Sequence, residues 1–223
     1  MARSLKKLIA AVFCLVLLFE LSSCAVNTKS AEQTGFSMGS FVGIKLYGKN
    51  SEALENANLL AEVVKTDERI SKNYEGSDIY RVNSSGEHGE TVSSETYDEL
   101  RTVCDVYSDS HGKAAVLSGA LTELWGFDTD EFRLPSEDEI LSAKEKCGDD
   151  KLIFDDGKKV YIPDGAKLNL GSAGKGIALD EAVKRIDEIN SQGGKITGAV
   201  ISVGGSVATY GLPKKGKSWN VGI

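Results

Sequence analysis

A glycine-rich stretch with one lysine, G-S-A-G-K-G at residues 171–176, is the part of this sequence best suited to chemistry. Apolar residues follow it at helical spacing: Leu179, Ala182, Val183, Ile186 and Ile189. They predict a helix that begins at the stretch. The first backbone N–H groups of a helix have no partner within the helix and lie at its positive dipole end, so they can bind phosphate. Lys175 would add a full positive charge there. The stretch is not a Walker A motif, which has four residues between its glycines and Ser or Thr after the lysine.

Other common catalytic motifs find no support in the sequence. There is no G-x-S-x-G nucleophile elbow, and His88 and His111 lie in polar segments without a matching nucleophile, so a hydrolase triad is not indicated. Cys104 and Cys147 have no C-x-x-C neighbour, which leaves zinc binding and thioredoxin-like chemistry without support. Both cysteines occupy apolar helical positions. These positions favour buried free thiols over the disulfide that an exported protein would permit.

The composition is that of a globular protein and argues against nucleic acid as a partner. The 223 residues include 26 Lys and Arg against 33 Asp and Glu, a formal net charge of −7, and 41% are hydrophobic. Nucleic-acid phosphates are bound by clustered basic residues, and no such cluster follows the N-terminus. No linker rich in Pro or Ser divides the chain. We therefore expect one mixed domain.

The N-terminus resembles the export signal of a bacterial lipoprotein. A basic start precedes an apolar run over 8–19, and L-S-S-C ends at Cys24. This run is too short to cross a bilayer core, which takes about 20 residues in a helix. We predict a signal peptide over 1–23, acylation of Cys24, and a tether over 24–35 that holds the protein at the outer face of the cell membrane. An ordinary secretory signal or an uncleaved anchor is the alternative.

Hydrophobic periodicity predicts alternating strands and helices along the rest of the chain. We first expect a strand over 42–46 ending at Gly48, and then a helix capped by Ser51 with an apolar stripe to Val64. A helix after Ser93 or Ser94 and a helix from Ser136 to about Cys147 follow, and then a hairpin of 152–154 and 160–162. The last elements are the helix of the glycine-rich stretch, ending at Gly193, and strands over 199–203 and 207–210. Glu139, three residues beyond Ser136, completes a capping box. The order predicts an α+β fold.

Five segments also occur in one known order. They are F-S-M-G-S at 36–40, S-K-N-Y-E-G-S-D-I-Y-R-V-N at 71–83, L-T-E-L-W-G-F at 121–127, L-N-L-G-S-A-G-K-G-I-A-L-D at 168–180 and I-S-V-G-G-S at 201–206. Together they resemble the ApbE family, the FAD:protein FMN transferases, whose pattern runs M-G-T, S-x-Y-x-x-x-S-x-I-x-x-x-N, G-P-L-x-x-L-W-G-F, D-L-G-G-I-A-K-G-x-x-x-D and N-L-G-G-D. The resemblance spans about 36–223 and implies a single α+β, T-fold-like domain.

The resemblance implies a Mg²⁺-dependent enzyme at the outer face of the bacterial cytoplasmic membrane. Such an enzyme splits FAD at the pyrophosphate and moves the FMN half onto a Thr hydroxyl of a partner protein, leaving AMP. The implied partners are acceptor flavoprotein subunits of membrane redox complexes. The chemistry suits the glycine-rich helix start, because a pyrophosphate is the kind of group that such a start binds.

The resemblance also implies site residues. The predicted FAD contacts are Met38, Tyr74, Lys113, Ala114, Ala115, Asn169 and Lys175, and Ser172 is predicted to give the metal an oxygen, most simply its backbone carbonyl. No catalytic residue is assigned. For Met38 a place in the hydrophobic core is the alternative, for Tyr74 a surface turn, and for Lys175 a solvated first helical turn.

The sequence departs from the family pattern at three acidic positions. Asn169 stands for the Asp before L-G-G, Ala115 for the acid before the G-P-L stretch, and Ser206 for the Asp of N-L-G-G-D. The family's later D-P-x-T-G-like stretch, with an Asp and a Thr of the metal site, has no counterpart in these residues. We therefore expect a C-terminally incomplete domain without measurable transfer activity of its own. Two interpretations stay open: part of a working transferase, or an inactive lipoprotein that binds FAD or another nucleotide. Extending the reading frame past residue 223 would distinguish them.

Overall fold

Alternating strands and helices form the protein, and the elements that the sequence predicts occur in the expected order among others that it does not predict. The computed structural model describes residues 28–127, 129, 131–213 and 217–222. The predicted signal peptide and Cys24 lie outside the described residues. Within these residues no helix combines the length and the apolar character that crossing a membrane requires.

The described elements are nine-residue strands at the start, helices in the middle and a strand pair at the end. In chain order they are β1 (Lys29–Ser37), β2 (Ser40–Gly48), α1 (Ser51–Glu55), α2 (Leu59–Ile70), α3 (Asp78–Ser85), β3 (Glu90–Thr91), α4 (Ser94–Asp109), α5 (Gly119–Trp125), α6 (Glu137–Lys144), β4 (Ile153–Phe154), β5 (Lys159–Tyr161), α7 (Gly174–Ser191), β6 (Ile196–Val203) and β7 (Ser206–Gly211). A short 3₁₀ turn, Leu170–Ser172, precedes α7.

The main sheet has four antiparallel strands in the order β1-β2-β6-β7. Because side chains alternate between the faces of a strand, one face of the sheet is apolar. That face packs against α2 and α7 in a first core, whose largest fully buried members are Leu46, Leu54, Leu59, Ile186 and Ile201. The two tight turns of this sheet, β1–β2 and β6–β7, are placed at the same end because Val42 pairs with Val203.

A second core lies between α3, α4 and the small sheet β3-β5-β4. Two helices contribute to both cores. In α2, Leu59 and Val63 belong to the first core and Ile70 to the second; in α7, Ala178 belongs to the first and Ile177 to the second. Met38, in the β1–β2 turn, also packs against both. The two cores therefore form one α+β domain, as predicted.

Most of the predicted elements are confirmed, and two predictions are wrong. The helix from Ser51 is two helices, capped by Asn50 and separated near Asn58, whose φ of 46° is left-handed and ends helical hydrogen bonding. The sheet begins at Lys29, inside the segment predicted as a tether, because β1 pairs along its whole length with β2. The capping box of Ser136 and Glu139 is present, and α6 ends at Lys144, before the predicted end near Cys147.

Both described cysteines are free thiols, as predicted. Each is half-buried rather than fully buried. The Cys104 thiol lies 3.7 Å from the carbonyl oxygen of Asp149, and burial raises its pKa to about 11. A thiol that stays protonated at neutral pH is a poor nucleophile, so Cys104 has a structural role.

Candidate functional site

A cleft of about 200 Å³ opens where the β1–β2 turn, the end of α2 and the start of α7 meet. It is lined by Met38, Asp67, Ile70, Ser71, Lys72, Asn73, Asn169, Leu170, Gly171, Gly174 and Lys175. Three predicted FAD contacts thus share one cleft. Two turns and two helix ends supply its walls, so most of its backbone is fixed by regular structure.

Met38 and Gly39 form a tight turn in which both residues have positive φ, 52° and 65°. This is the conformation of a two-residue hairpin turn of the primed type. The backbone N–H of Met38 donates to Oδ2 of Asp67 over 2.7 Å, and the Ser37 hydroxyl donates to the same oxygen over 2.9 Å. The carboxylate on α2 therefore anchors the turn at the cleft.

Lys175 lies in the first turn of α7 and points toward the turns of the main sheet. Its Nζ donates to the Ser40 hydroxyl over 3.0 Å. Gly204, in the β6–β7 turn, has a φ of 59°, and a Cβ placed there would stand 2.9 Å from Ser40 Oγ and 3.0 Å from Lys175 Nζ. Glycine is thus needed at 204 for both the backbone conformation and the room that the ammonium group occupies.

Asn169 uses both ends of its amide inside the protein. Its Oδ1 accepts from the backbone N–H of Gly171 over 2.9 Å, which caps the 3₁₀ turn. Its Nδ2 donates to the Thr122 hydroxyl over 3.0 Å. These bonds set the direction of the glycine-rich stretch as it enters α7.

The segment 71–77 follows α2, supplies part of the cleft lining through Ser71, Lys72 and Asn73, and is held by its serines. The Ser77 hydroxyl accepts from the backbone N–H of Tyr80 as the N-cap of α3 and donates to the carbonyl of Ser71. Lys72 and Asn73, which lie between these two serines in the sequence, line the cleft. The first and second serines of the family pattern therefore shape this part of the cleft lining.

The last residue of that pattern, Asn83, supports the glycine-rich stretch from behind. Its Oδ1 accepts from the N–H of Leu168 over 2.7 Å, and its Nδ2 donates to the carbonyl of Leu168 over 2.9 Å. Lys167 Nζ donates to the backbone carbonyl of Asn83 over 2.7 Å. Asn83 thus fixes the residue directly before Asn169.

The predicted contact segment Lys113, Ala114 and Ala115 is not among the cleft-lining residues. It leads into Val116, whose carbonyl accepts from the N–H of Asn169 over 2.8 Å. The buried carboxylate of Asp149 accepts from the N–H groups of Val116 and Leu117. Burial raises the pKa of Asp149, although these backbone donors favour its charged form. The residues that directly follow the segment are therefore anchored beside Asn169.

Tyr74 and Ser172 are not among the residues that line the cleft, although each is next in sequence to one that does. Tyr74 follows Asn73, and its side chain is exposed, with 55% of its surface accessible. Ser172 is exposed in the 3₁₀ turn. In the described part of the chain, no group of three or more His, Cys, Asp or Glu residues is arranged to hold a metal ion.

The structure brings together Met38, Asn169 and Lys175, and it adds residues that the sequence reasoning missed. The main addition is Asp67, which lines the cleft and anchors Met38. One signal could have found it: Asp67 lies one helical turn before Ser71, on the helix that leads directly into a predicted site segment. Lys72 and Asn73 belong to the segment 71–83 that resembles the family pattern, but the resemblance implied no role for them.

Comparison with known proteins points to one family. A sequence profile of the ApbE family matches residues 38–223. The FAD:protein FMN transferase of Haemophilus influenzae is 22% identical over 98% of this chain and 65% of its own length, and that of Klebsiella pneumoniae is 27% identical over 85% and 55%. The chain thus spans less than two thirds of the length of these curated relatives.

Solved structures show the same fold. The crystal structure of the ApbE protein of Thermotoga maritima superposes with a TM-score of 0.71 at 26% identity, over 81% of this chain and 59% of the other. The apo form of the flavinyl transferase ApbE of Pseudomonas stutzeri gives a TM-score of 0.75 at 24% identity, over 88% and 62%. The likeness to the second structure concerns the fold alone.

Proposed function

Because the family profile covers most of the chain, this protein belongs to the ApbE family, and on that premise we propose that its cleft binds FAD for the transfer of FMN to a protein. The observation that carries the proposal is the position of Lys175, in the first turn of α7 and beside a glycine-rich backbone that lines an open cleft. A doubly charged pyrophosphate matches a lysine and a helix start in both charge and hydrogen bonding. Lys72, which also lines the cleft, adds positive charge.

The proposed reaction moves one phosphoryl group. The hydroxyl oxygen of an acceptor Thr forms a bond to the phosphorus of the FMN half, and the bond from that phosphorus to the bridging oxygen breaks. The bridging oxygen leaves with AMP, and the Thr proton is released. Lys175 would stabilise the negative charge on the pyrophosphate as this bond breaks, which is the main task of a protein in phosphoryl transfer.

The magnesium ion that the resemblance implies remains a proposal for the Ser172 turn. Mg²⁺ binds oxygen ligands in octahedral geometry and commonly shares substrate phosphates with the protein. The Ser172 turn can offer backbone carbonyls, but Asn169 brings an amide, bonded to Gly171 and Thr122, where the family pattern has a carboxylate, and Ala115 brings no oxygen in its side chain. These two positions therefore lack the carboxylates that the family pattern supplies, and no step of the proposed reaction depends on the ion.

We test FAD binding with Lys175→Ala and a matched control in the same helix. Loss of a charge-assisted contact costs about 1.5–3 kcal/mol, which is a roughly 10- to 150-fold weaker Kd. Flavin fluorescence titration measures the affinity. The control is Lys184→Ala, because the Lys184 side chain is 60% exposed on α7 and pairs only loosely with Glu181 over 3.5 Å. Equal affinities of Lys175→Ala and the wild type would contradict the proposal.

Transfer is tested separately from binding. The protein is incubated with FAD, Mg²⁺ and a Thr-containing acceptor domain, and covalent flavin is detected by fluorescence of the acceptor in a denaturing gel. A fluorescent acceptor band supports the transferase function. FAD binding without a band would agree with the expectation from the sequence that these residues have no measurable transfer activity of their own, and would support a protein that binds FAD without turnover.

We also propose that the protein is a lipid-anchored lipoprotein at the outer face of the membrane. The support is the sequence before the domain, in which L-S-S-C follows a short apolar run. Acceptor subunits of membrane redox complexes would then share its location. Anchoring at Cys24 would leave only a few residues between the membrane surface and β1, which begins at Lys29.

A further inference from the structure

We infer that Asp67 is a positioning residue for the ligand of the cleft: its carboxylate holds the Met38–Gly39 turn in the conformation that Lys175 and the ligand require. The inference rests on the proposed function for the identity of the ligand, FAD. It does not make Asp67 a catalytic residue, because Asp67 acts through the turn.

The turn needs an anchor because of the residue that begins it. A φ of 52° at Met38 lies in the left-handed region, which Asn, Asp and Gly occupy readily and Met rarely does. Met38 is nevertheless suited to its place by packing, since its side chain contacts both hydrophobic cores. The 2.7 Å hydrogen bond from its N–H to the charged Asp67 oxygen compensates for the unfavourable backbone conformation.

The same oxygen connects the turn to the lysine. It also accepts from the Ser37 hydroxyl over 2.9 Å, and Ser37 is buried. Ser37 pairs with Ser40 across the turn, and the Ser40 hydroxyl accepts from Lys175 Nζ over 3.0 Å. A loose turn would therefore displace the acceptor that orients the Lys175 ammonium group.

A direct role of Asp67 toward the ligand is disfavoured by charge. A carboxylate facing a pyrophosphate repels it, so removing the carboxylate would strengthen binding if charge were its main effect. Positioning predicts the opposite sign. The two roles are thus separated by the direction of the change in affinity.

The experiment compares Asp67→Ala, Asp67→Asn and the exposed neighbour Glu68→Ala in FAD titrations. We expect Asp67→Ala to weaken FAD binding about tenfold, as for loss of a charge-assisted hydrogen bond. Asp67→Asn should stay within about threefold of the wild type, because its amide oxygen can still accept from Ser37 and Met38. Glu68→Ala should not change the affinity. Unchanged or tighter binding by Asp67→Ala would overturn the inference.

A double-mutant cycle with Met38→Asn tests whether the effect passes through the turn. Asn tolerates positive φ, so in this background Asp67→Ala should weaken binding by less than about threefold. A purely structural role would give the same loss in both backgrounds, and that result would refute positioning. If Asp67→Ala does not fold, Ser37→Ala replaces it in the cycle, with a smaller loss expected and unchanged affinity as the refuting result.

Hydrogen exchange keeps the inference apart from the proposed function. In the protein without ligand, Asp67→Ala should speed amide exchange in the peptide that contains Met38 and Gly39, while α4 keeps its protection. If the wild type binds no FAD, the proposed function fails, and the exchange result alone decides on the anchor. The inference would be contradicted if Asp67→Ala speeded exchange equally throughout the protein, or if exchange at the turn were not faster than in the wild type.

Discussion

Replacement of Asn83 should destabilise the whole protein, because its side-chain amide makes hydrogen bonds to both backbone polar groups of Leu168. Leu168 is fully buried, and both of its backbone polar groups bond to the Asn83 amide, over 2.7 and 2.9 Å. In Asn83→Ala, two neutral hydrogen bonds are lost, and the Leu168 groups remain buried without those partners. Together these effects amount to about 2–4 kcal/mol of unfolding free energy.

Urea unfolding followed by tryptophan fluorescence measures this loss. With a slope of roughly 2–3 kcal/mol per molar urea for a domain of this size, the midpoint should fall by about 1 M. The matched control is Asn190→Ala, because Asn190 makes the same pair of bonds with Ile196, at the other end of α7. That end lies about 24 Å from the cleft at 1.5 Å per helical residue. Asn190→Ala should lose similar stability but keep FAD affinity, whereas Asn83→Ala should lose both.

A carboxyl at the same place adds a test by pH. In Asn83→Asp, one oxygen can still accept from the Leu168 N–H, but the other faces the Leu168 carbonyl without a hydrogen to donate. The carboxyl is therefore favoured in its protonated form in the folded protein, which raises its pKa. A raised folded pKa means that stability is highest at low pH and is lost as the pH rises through the folded pKa. We expect Asn83→Asp to be as unstable as Asn83→Ala at pH 7 and to recover toward about pH 4. If Asn83→Ala shifts the midpoint no more than the exposed Asn56→Ala, the reasoning is refuted.

Two further predictions concern pH and the membrane. Burial disfavours the charged form of Asp78, but hydrogen bonds from Ser93, Thr96 and Arg81 outweigh it and hold the pKa of Asp78 below its ordinary value. Its contribution to stability is therefore complete above the unfolded pKa of about 3.9 and is lost as the pH falls through the folded pKa, so the wild type and Asp78→Asn should differ in unfolding free energy at pH 7 and converge in acid. Cys24→Ala should shift the protein from the membrane to the soluble fraction, since each buried CH₂ of a lipid chain is worth about 0.8 kcal/mol; equal fractionation of wild type and variant would contradict the lipid anchor.

The fold was largely predictable because its elements carry local signals. The alternation over 42–46, the helix start after Ser93 or Ser94 and the capping box at Ser136 each depend on a few neighbouring residues. All three are confirmed, and Ser93 is the residue that caps the helix. The break at Asn58 was not predictable from the apolar stripe, because the stripe continues through it and only the left-handed backbone interrupts the helix. The strand β1 was not predicted because its sequence has few apolar residues and no clear alternation. Its strand structure depends on pairing with β2.

The candidate site was predictable in its residue types but not in its supports. The glycine-rich stretch identified Lys175 through local chemistry, and the resemblance added Met38 and Asn169. The anchor Asp67 and the support Asn83 act over 29 and 85 positions along the chain. Such contacts depend on how the elements pack. Asp67 does not differ by type from the other acids in the sequence, and Asn83 closes the pattern at 71–83 without any local sign of its partner Leu168. The predicted FAD contact of Ala115 and its neighbours stays a prediction, because these residues do not line the cleft.

The two helices shared by both cores, α2 and α7, make part of the cleft rigid before a ligand binds. Asp67 and Ile70 lie in the last turn of α2, while Gly174 and Lys175 begin α7, so these two parts of the cleft lining belong to the elements that join the cores. Separating the cores means breaking these helices, which costs far more than moving a loop. The walls thus keep their spacing before any ligand arrives, and little binding free energy is spent on ordering them. Ligand entry would then leave the cores fixed and adjust only the segment 71–77 and the exposed Tyr74.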